Sequence, residues 1–505
     1  MSMIPVSEAL LRFARAGVDL PALTVDGQTL SRDQLERRTN RLAREFERRG
    51  VCEGNFVTIS LPNSLAFVES ALAALKLGAT PQPISSRLPK GEFLAIIELA
   101  SPALIVGAEP REFPELQVIP PGFEPSAELS DEPLPVRVAK YWKAPTSGGS
   151  TGRPKLIVSG SAGLVDEDAP AFAMPLLLPR EGAVLVPGPL YHNAPFTTCL
   201  QSLFRGNHVV VMRRFDPAQT LELIEQYRVG AVLLVPTMMS RIWKLPEAER
   251  TKFDLSSLRV AYHMASHCPD WLKAAWIEWL GADHIYELYG GTEMQALTVI
   301  RGDEWLQHRG SVGRCVLGEI RIASEDGSEL RLGEVGEILL RSTPGAPPAY
   351  FYIGAEPTRV GDWDTLGDLG RFDADGYLYL SDRRTDLILR GGANILPAEV
   401  EAAIDEHPAV HSSAVIGLPD EDLGQRVHAI IHTRKPIGVE ELTQYLDERL
   451  VHYKIPASFE FVAEPVRGDD GKVRRSALRD ERIAFKKFAE VPASSFPATS
   501  TATRS

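Results

Sequence analysis

The chain has 505 residues, 44% of them apolar and 24% charged, and 67 acidic against 54 basic side chains give a net charge of −13. That length calls for more than one domain and a sizeable core. The acidic balance argues against a general nucleic-acid or anionic-membrane surface, while leaving room for a small basic pocket. Cys52, Cys199, Cys268 and Cys315 are widely spaced with no C-x-x-C pair, so neither a disulfide framework nor a zinc site is expected. Such thiols fit a reducing, cytoplasmic setting. The opening "MSMIPVSEALLRFARAG" carries Glu8 and no long apolar run, unlike a signal peptide. No window of about 18 apolar residues without charge offers a membrane span.

In chain order, "FVTISLP" at residues 56–62 reads as a strand. The following "SLAFVESALAALKLGA" has apolar residues at helical spacing and is closed by Gly78. "GAVLVPGPL" (182–190) and "GAVLLVPT" (230–237) are buried-strand candidates, the second preceded by the helical "AQTLELIEQYR". This alternation predicts a layered α/β domain with mostly parallel sheets over residues 1–381. Near Asp382 the pattern changes. "SDRRTDLILRGGANI" is charged and then glycine-rich, "LPAEVEAAIDEH" and "GVEELTQYLDERL" read as helices, and "SSAVIGLPD" and "VHAIIHT" read as strands. Residues 382–482 therefore read as a small α+β domain on a hinge. Residues 483–505 end in "VPASSFPATSTATRS" and read as a disordered tail.

The stretch "TSGGSTGRPK" at residues 146–155 packs hydroxyls, glycines and cations together. It is not a Walker loop, because Gly152 is followed by Arg153 and Pro154 and no hydroxyl follows Lys155. Gly148, Gly149 and Gly152 could still let backbone N–H groups approach an anion. Thr146, Ser147, Ser150 and Thr151 could add hydroxyls, and Lys155 a charge. A plain turn is the alternative on this stretch alone.

Three further segments decide between them: "ELYGGTE" at 287–293, "LGDLGRFDADGYLYLSDRRTD" with Asp368 and Arg383, and "DDGKVRRSALR" with Lys472. In this order, and over nearly the whole chain, the four segments resemble the adenylate-forming superfamily of acyl-CoA synthetases, carrier-protein adenylation domains and luciferases. The resemblance implies that family's fold, a large N-terminal domain of layered α/β subdomains and a small mobile α+β C-terminal domain. It also implies an enzyme, an AMP-forming acid–thiol ligase with ATP, Mg2+ and CoA as cofactors. A carboxylic acid would be activated as an acyl-adenylate with release of pyrophosphate, then transferred to the thiol. The loop 146–155 would hold the β- and γ-phosphates. Thr292 would donate to the α-phosphate and Glu293 would hold Mg2+. Tyr289, with Gly290 and Gly291, would flank the adenine, and Asp368 and Arg383 would contact the ribose. Lys472 would bridge the acid and the α-phosphate. Thr385 stands at the hinge position, and Arg390, Gly391 and Gly392 would line the thiol channel. Two departures stand out: Leu366-Gly367-Asp368 replaces the usual T-G-D, and Pro465-Val466-Arg467 stands where "PRT" is common.

The resemblance places the acyl pocket at His192 in "GPLYHNAP", Met238, and Ser266 and His267 in "HMASHC". The last segment departs from the family's small-residue "GGAPL"-like run. No basic side chain in this set answers a second carboxylate, so a largely apolar acid is expected. "EWLQHRGSVGR" and "YHNAP" look similar to bacterial ligases for medium-to-long, alicyclic or steroidal acids. The partners implied are the acid, ATP and CoA, with a monomer or homodimer. The alternative within the fold is a free-standing enzyme that loads an acyl carrier protein. A nucleotide-binding protein without catalysis is disfavoured by the presence of Lys472, Glu293 and Asp368.

Overall fold

The computed structural model describes residues 2–148, 154–383, 386–390, 393–420, 423–468 and 471–489. It forms two compact units, Met1–Leu380 and Ser381–Ser505.

In the first unit, the strands Ile285–Gly290, Val260–His263, Ala231–Leu234, Ala183–Val186, His208–Val211 and Pro21–Val25 lie side by side in that order. Each neighbouring pair is parallel. Parallel strands need crossover connections, and helices such as Asn193–Leu203, Pro217–Gln226, Pro236–Trp243 and Asp270–Leu280 supply them. Both faces are therefore covered, which is why these strands are short unbroken apolar runs. Successive residues alternate between two cores: Val184, Val186, Ala231 and Leu233 on one face, Leu185, Val232 and Leu234 on the other. Each fully buried Val or Leu contributes roughly 1.5–3 kcal/mol of transfer free energy.

Beyond Gly290 the sheet continues antiparallel, a part that the expectation of mostly parallel sheets did not locate. Leu297–Arg301 and Ser311–Leu317 join it antiparallel. Only a short turn separates Gly290 from Leu297, and a short turn can return the chain only antiparallel. A second, parallel sheet holds Thr80–Pro83, Phe56–Ile59, Leu104–Val106 and Val118–Ile119. Its helix Leu65–Lys76 starts at Ser64, whose hydroxyl accepts from the Phe67 N–H at 3.2 Å. A third, antiparallel sheet joins Tyr350–Ile353, Pro154–Ser159 and Thr146–Gly148.

The second unit is α+β. The long antiparallel hairpin Val410–Asp420 and Gly424–Thr433 carries Ser458–Val462 in parallel on its outer side. Helices Pro397–Glu406 and Val439–Asp447 help bury Val400, Ile404, Val415, Ile431, Leu442 and Leu446. The helix Arg475–Ala489 corrects the reading of the tail, because it runs past residue 482. Its Leu478 and Ile483 pack on Ile416, Leu418 and Ile430, the other face of the hairpin. In the sequence, the Ser/Thr/Pro-rich end masks that amphipathic spacing. Residues 490–505 lie outside the described residues. Among the described residues, no helix is long and apolar enough to cross a membrane.

Candidate active site

Four consecutive parallel strands deliver the chemistry-bearing segments to one edge of the large sheet. Residues 187–192 follow Ala183–Val186, and Met238 lies on the helix after Ala231–Leu234. Ser266 and His267 follow Val260–His263, and residues 291–293 follow Ile285–Gly290. Because these strands run the same way, all four segments emerge at their carboxyl ends, where ligands bind in open α/β sheets.

Glu293 is only 6% exposed. Its Oε1 accepts the Tyr352 hydroxyl at 2.6 Å and lies 3.9 Å from the Lys155 ammonium. Lys155 in turn sits 3.6 Å over the Tyr352 ring. Burial lowers the Lys155 ammonium from its ordinary value, and the Glu293 charge works against that. Burial and the same carboxylate push the Tyr352 phenol well above its ordinary range, so it remains a donor. The other carboxylate oxygen, Oε2, faces Gly291, where a Cβ would come within 2.6 Å of it and 2.7 Å of Leu366. Any side chain at 291 would displace the carboxylate. Met294, next in sequence, holds a positive φ of 58°, a strained conformation for such a residue. A buried carboxylate presenting a hard oxygen beside side-chain-free backbone is a fitting ligand for magnesium.

The same turn is tied to the strand Trp363–Phe372, which carries Asp368. Gln295 Nε2 and the Tyr350 hydroxyl both donate to Asp364 Oδ2, at 3.2 and 3.0 Å. The Tyr289 hydroxyl donates to Asp368 Oδ2 at 2.9 Å, so two residues named from separate motifs meet. Where the family T-G-D hydroxyl is missing at Leu366, the neighbouring Thr365 hydroxyl accepts the Gly367 N–H at 3.0 Å and donates to Glu337 at 2.7 Å.

Beneath the edge lies a buried charge pair. Lys273, 1% exposed, places Nζ 2.5 Å from Glu287 Oε2. Burial alone would raise the Glu287 carboxyl, but the Lys273 charge and hydrogen bond, together with the nearby histidines, hold the group below the ordinary carboxylate range. His263 Nδ1 stands 4.0 Å from the same carboxylate, and burial pushes its imidazole down to about 4. Among the described residues neither His263 ring nitrogen has a hydrogen-bond partner. The pair clamps helix Asp270–Leu280 to the strand from which Tyr289 emerges.

On the acyl side, His192 is the residue that precedes helix Asn193–Leu203, with its ring 4.3 Å from that of Tyr191. Met238 is buried, and its Cε lies 3.7 Å from where a Cβ on Gly188 would stand. Met238 and the "GPLYHNAP" segment are thus brought together. Ser266 is half-buried and His267 exposed in their turn. Lys143, which no local motif marks, is buried against the same helix and donates to Asn193 Oδ1 and, at 2.9 Å, to Thr197 Oγ1.

Of the glycine stretch, Thr146 Oγ1 accepts from Gln82 Nε2 at 3.4 Å, and Gly148 pairs with Pro154 in the small antiparallel sheet. Gly149, Ser150, Thr151, Gly152, Thr385, Gly391 and Gly392 lie outside the described residues, as do the side chains of Ser147 and Arg383. Gly290 ends the strand Ile285–Gly290, and Thr292 stands in the turn after it. Arg390 donates to the Tyr453 carbonyl. Lys472 is exposed, and its carbonyl accepts the Gly468 N–H at 3.1 Å. Tyr352 was the main omission. The aromatic "YFYI" strand was its only signal, since 59 residues separate it from Glu293.

Comparison with known proteins gives the family. The family model "AMP-binding enzyme" matches residues 10–351, and "AMP-binding enzyme C-terminal domain" matches residues 399–472. The chain belongs to the AMP-binding enzyme family. A feruloyl-CoA synthase of Amycolatopsis sp is 32% identical over 93% of this chain and 97% of that protein. A 3-[(3aS,4S,7aS)-7a-methyl-1,5-dioxo-octahydro-1H-inden-4-yl]propanoyl:CoA ligase of Rhodococcus jostii (strain RHA1) is 28% identical over 94% of this chain and 98% of that one. The solved o-succinylbenzoate CoA synthetase of Bacillus subtilis, in complex with its acyl-adenylate intermediate, superposes with a TM-score of 0.78 at 26% identity. That match covers 95% of this chain and 99% of the other. This protein is an AMP-forming acid–thiol ligase that makes acyl-CoA through an acyl-adenylate, with ATP, Mg2+ and CoA.

Proposed function

We propose that the acid is largely apolar, of medium to long chain, alicyclic or steroidal, and that its activation is centred on Glu293. The observation that carries the site is the buried Glu293 carboxylate, held by Tyr352 beside Lys155. Buried Met238 next to Gly188 supports an apolar acyl side. So does the bicyclic propanoyl group in the name of the Rhodococcus relative.

In the first step an oxygen of the acid attacks the α-phosphorus of ATP, and the bond to the departing pyrophosphate breaks. Two anions converge, so donors and cations must sit where charge develops. Lys155 and the glycine loop, from Thr146 through Ser147, Gly148, Gly149, Ser150 and Thr151 to Gly152, hold the β- and γ-phosphates. Thr292 donates to the α-phosphate. Glu293 holds Mg2+, which when bound neutralises phosphate charge. Asp368, oriented by Tyr289, and Arg383 take the ribose hydroxyls, and Lys472 bridges the acid and the α-phosphate. In the second step the thiol, losing its proton, attacks the acyl carbonyl, and the bond to AMP breaks. Rotation about Thr385 brings Arg390, Gly391 and Gly392 to line the thiol's path, while His192 gates the acyl pocket with Met238, Ser266 and His267.

The test is kcat/KM over a panel of short aliphatic, aromatic, long-chain and steroidal acids, read as acyl-CoA by mass spectrometry. The highest value should fall on a long-chain, alicyclic or steroidal acid. A maximum on a short or aromatic acid contradicts the reading of the pocket.

A further inference from the structure

Within the second unit a single buried carboxylate organises the segment that carries Lys472. Glu401, on helix Pro397–Glu406, is 3% exposed. Its Oε1 accepts the Val415 N–H at 2.8 Å and Arg475 Nη2 at 2.9 Å. Its Oε2 accepts Arg467 Nη2 and Arg475 Nη2, both at 2.7 Å. Burial alone would raise this carboxyl, and the two guanidinium charges outweigh burial to keep it ionised. A buried carboxylate with two oxygens so fully engaged has one geometry.

Each arginine carries that geometry to a different place. Arg467 also donates through Nη1 to the Gly471 carbonyl at 3.3 Å. The Gly471 N–H donates back to the Gly468 carbonyl at 2.9 Å, and the Gly468 N–H to the Lys472 carbonyl at 3.1 Å. The guanidinium that Glu401 holds thus fixes the Gly471 carbonyl, and the Gly468 N–H fixes the Lys472 carbonyl that follows it. Arg475, from the other side, reaches Asp386 Oδ2 at 2.7 Å, and Asp386 follows Thr385 directly in sequence.

We propose that Arg467, held by Glu401, is a positioning residue for Lys472, and that the Glu401–Arg475–Asp386 chain ties that lysine's turn rigidly to the first residue after the hinge. This rests on the adenylation role assigned to Lys472 above. Lysine at 467 keeps a positive charge for Glu401 but lacks the planar fork needed to bond carboxylate and carbonyl together. Misplacement by about 1 Å costs on the order of 100-fold in rate. A residue that acts only through Lys472 has nothing further to lose once Lys472 is gone.

The experiment measures two half-reactions, acid-dependent pyrophosphate release and acyl-CoA formation from supplied acyl-adenylate, for Lys472→Ala, Arg467→Lys and the double variant. Arg467→Lys should slow pyrophosphate release by about 10- to 100-fold and leave the thiol step within about twofold of the parent. The double variant should match Lys472→Ala. Glu401→Gln, where it folds, should show the same split. Multiplying losses in the double variant, equal loss of both steps in Arg467→Lys, or no loss there would overturn the positioning role while Lys472→Ala stays defective. An unimpaired Lys472→Ala would overturn the assignment beneath it as well.

Discussion

Replacing Lys143 with methionine should make the stability of the protein less dependent on pH. Lys143 is 4% exposed, and its Nζ meets the neutral acceptors Asn193 Oδ1 and Thr197 Oγ1, with the Trp142 ring at 4.7 Å. Among the described residues no carboxylate pairs with it, and burial pushes the ammonium down from about 10.5 to about 7. The folded pKa lies below the unfolded one. Between pH 7 and 10.5 the unfolded chain therefore binds more protons, and stability rises with pH there. The slope is about 1.4 kcal/mol per pH unit, at most about 5 kcal/mol over the window. Below pH 7 the whole penalty is present. Methionine keeps the apolar stem and removes the titrating group, leaving two half-buried acceptors to find water. Denaturant titrations of parent and Lys143→Met, followed by tryptophan fluorescence from pH 6 to 10, give the difference directly. The variant should be the more stable at pH 6, with its advantage shrinking steadily towards pH 10. A difference that stays constant across this range would refute the reasoning, because the lysine would then titrate at its ordinary value. The same helix follows His192, so the KM for the acid is the companion readout.

Tyr352→Phe removes the donor to Glu293 and keeps the ring under Lys155. A hydrogen bond to a charged group is worth roughly 1.5–3 kcal/mol, so the Mg2+ concentration for half-maximal pyrophosphate release should rise by about 10- to 100-fold. Gly291→Val should displace the Glu293 carboxylate and suppress adenylation while the ATP-independent conversion of supplied acyl-adenylate persists; equal activity would show that the turn yields. Lys273→Met strands Glu287 as a buried, uncompensated carboxylate. The expected loss is about 3–5 kcal/mol, measured as a fall in denaturation midpoint at neutral pH, and a change below about 1 kcal/mol would contradict the clamp.

The strands at 183–186 and 231–234 were legible because a short apolar run opened by a glycine and closed by a proline has few alternatives. The helix at 65–76 was legible from its spacing and its closing glycine. The four motifs likewise single out Glu293 and Asp368, which the structure shows hydrogen-bonded to Tyr352 and Tyr289, while the roles given to them and to Lys472 rest on the resemblance. What stayed hidden depends on contacts between distant positions. The Tyr352–Glu293 bond and the Tyr289–Asp368 bond join residues 59 and 79 positions apart. Lys143 looks like any other lysine until the helix at 193–203 closes over it. Glu401 looks like one more surface acid in "PAEVEAAIDEH", because its two arginines come from a segment more than 60 residues away. The antiparallel half of the large sheet was likewise hidden. Connection length decides strand direction, and alternation of strand and helix, which predicts mostly parallel sheets, does not say where the antiparallel strands lie.

The measurement that bears most directly on the central claim is acid-dependent exchange of labelled pyrophosphate into ATP without CoA, compared between the parent and Glu293→Gln. Exchange reports adenylation alone, because it requires the first step to run in both directions. The parent should exchange label only when a suitable acid is present. Glu293→Gln should lose at least about 100-fold, as expected for removing a group that stabilises transition-state charge, with its denaturation midpoint unchanged. A Glu293→Gln protein that exchanges as fast as the parent would show that adenylation is not centred on this carboxylate.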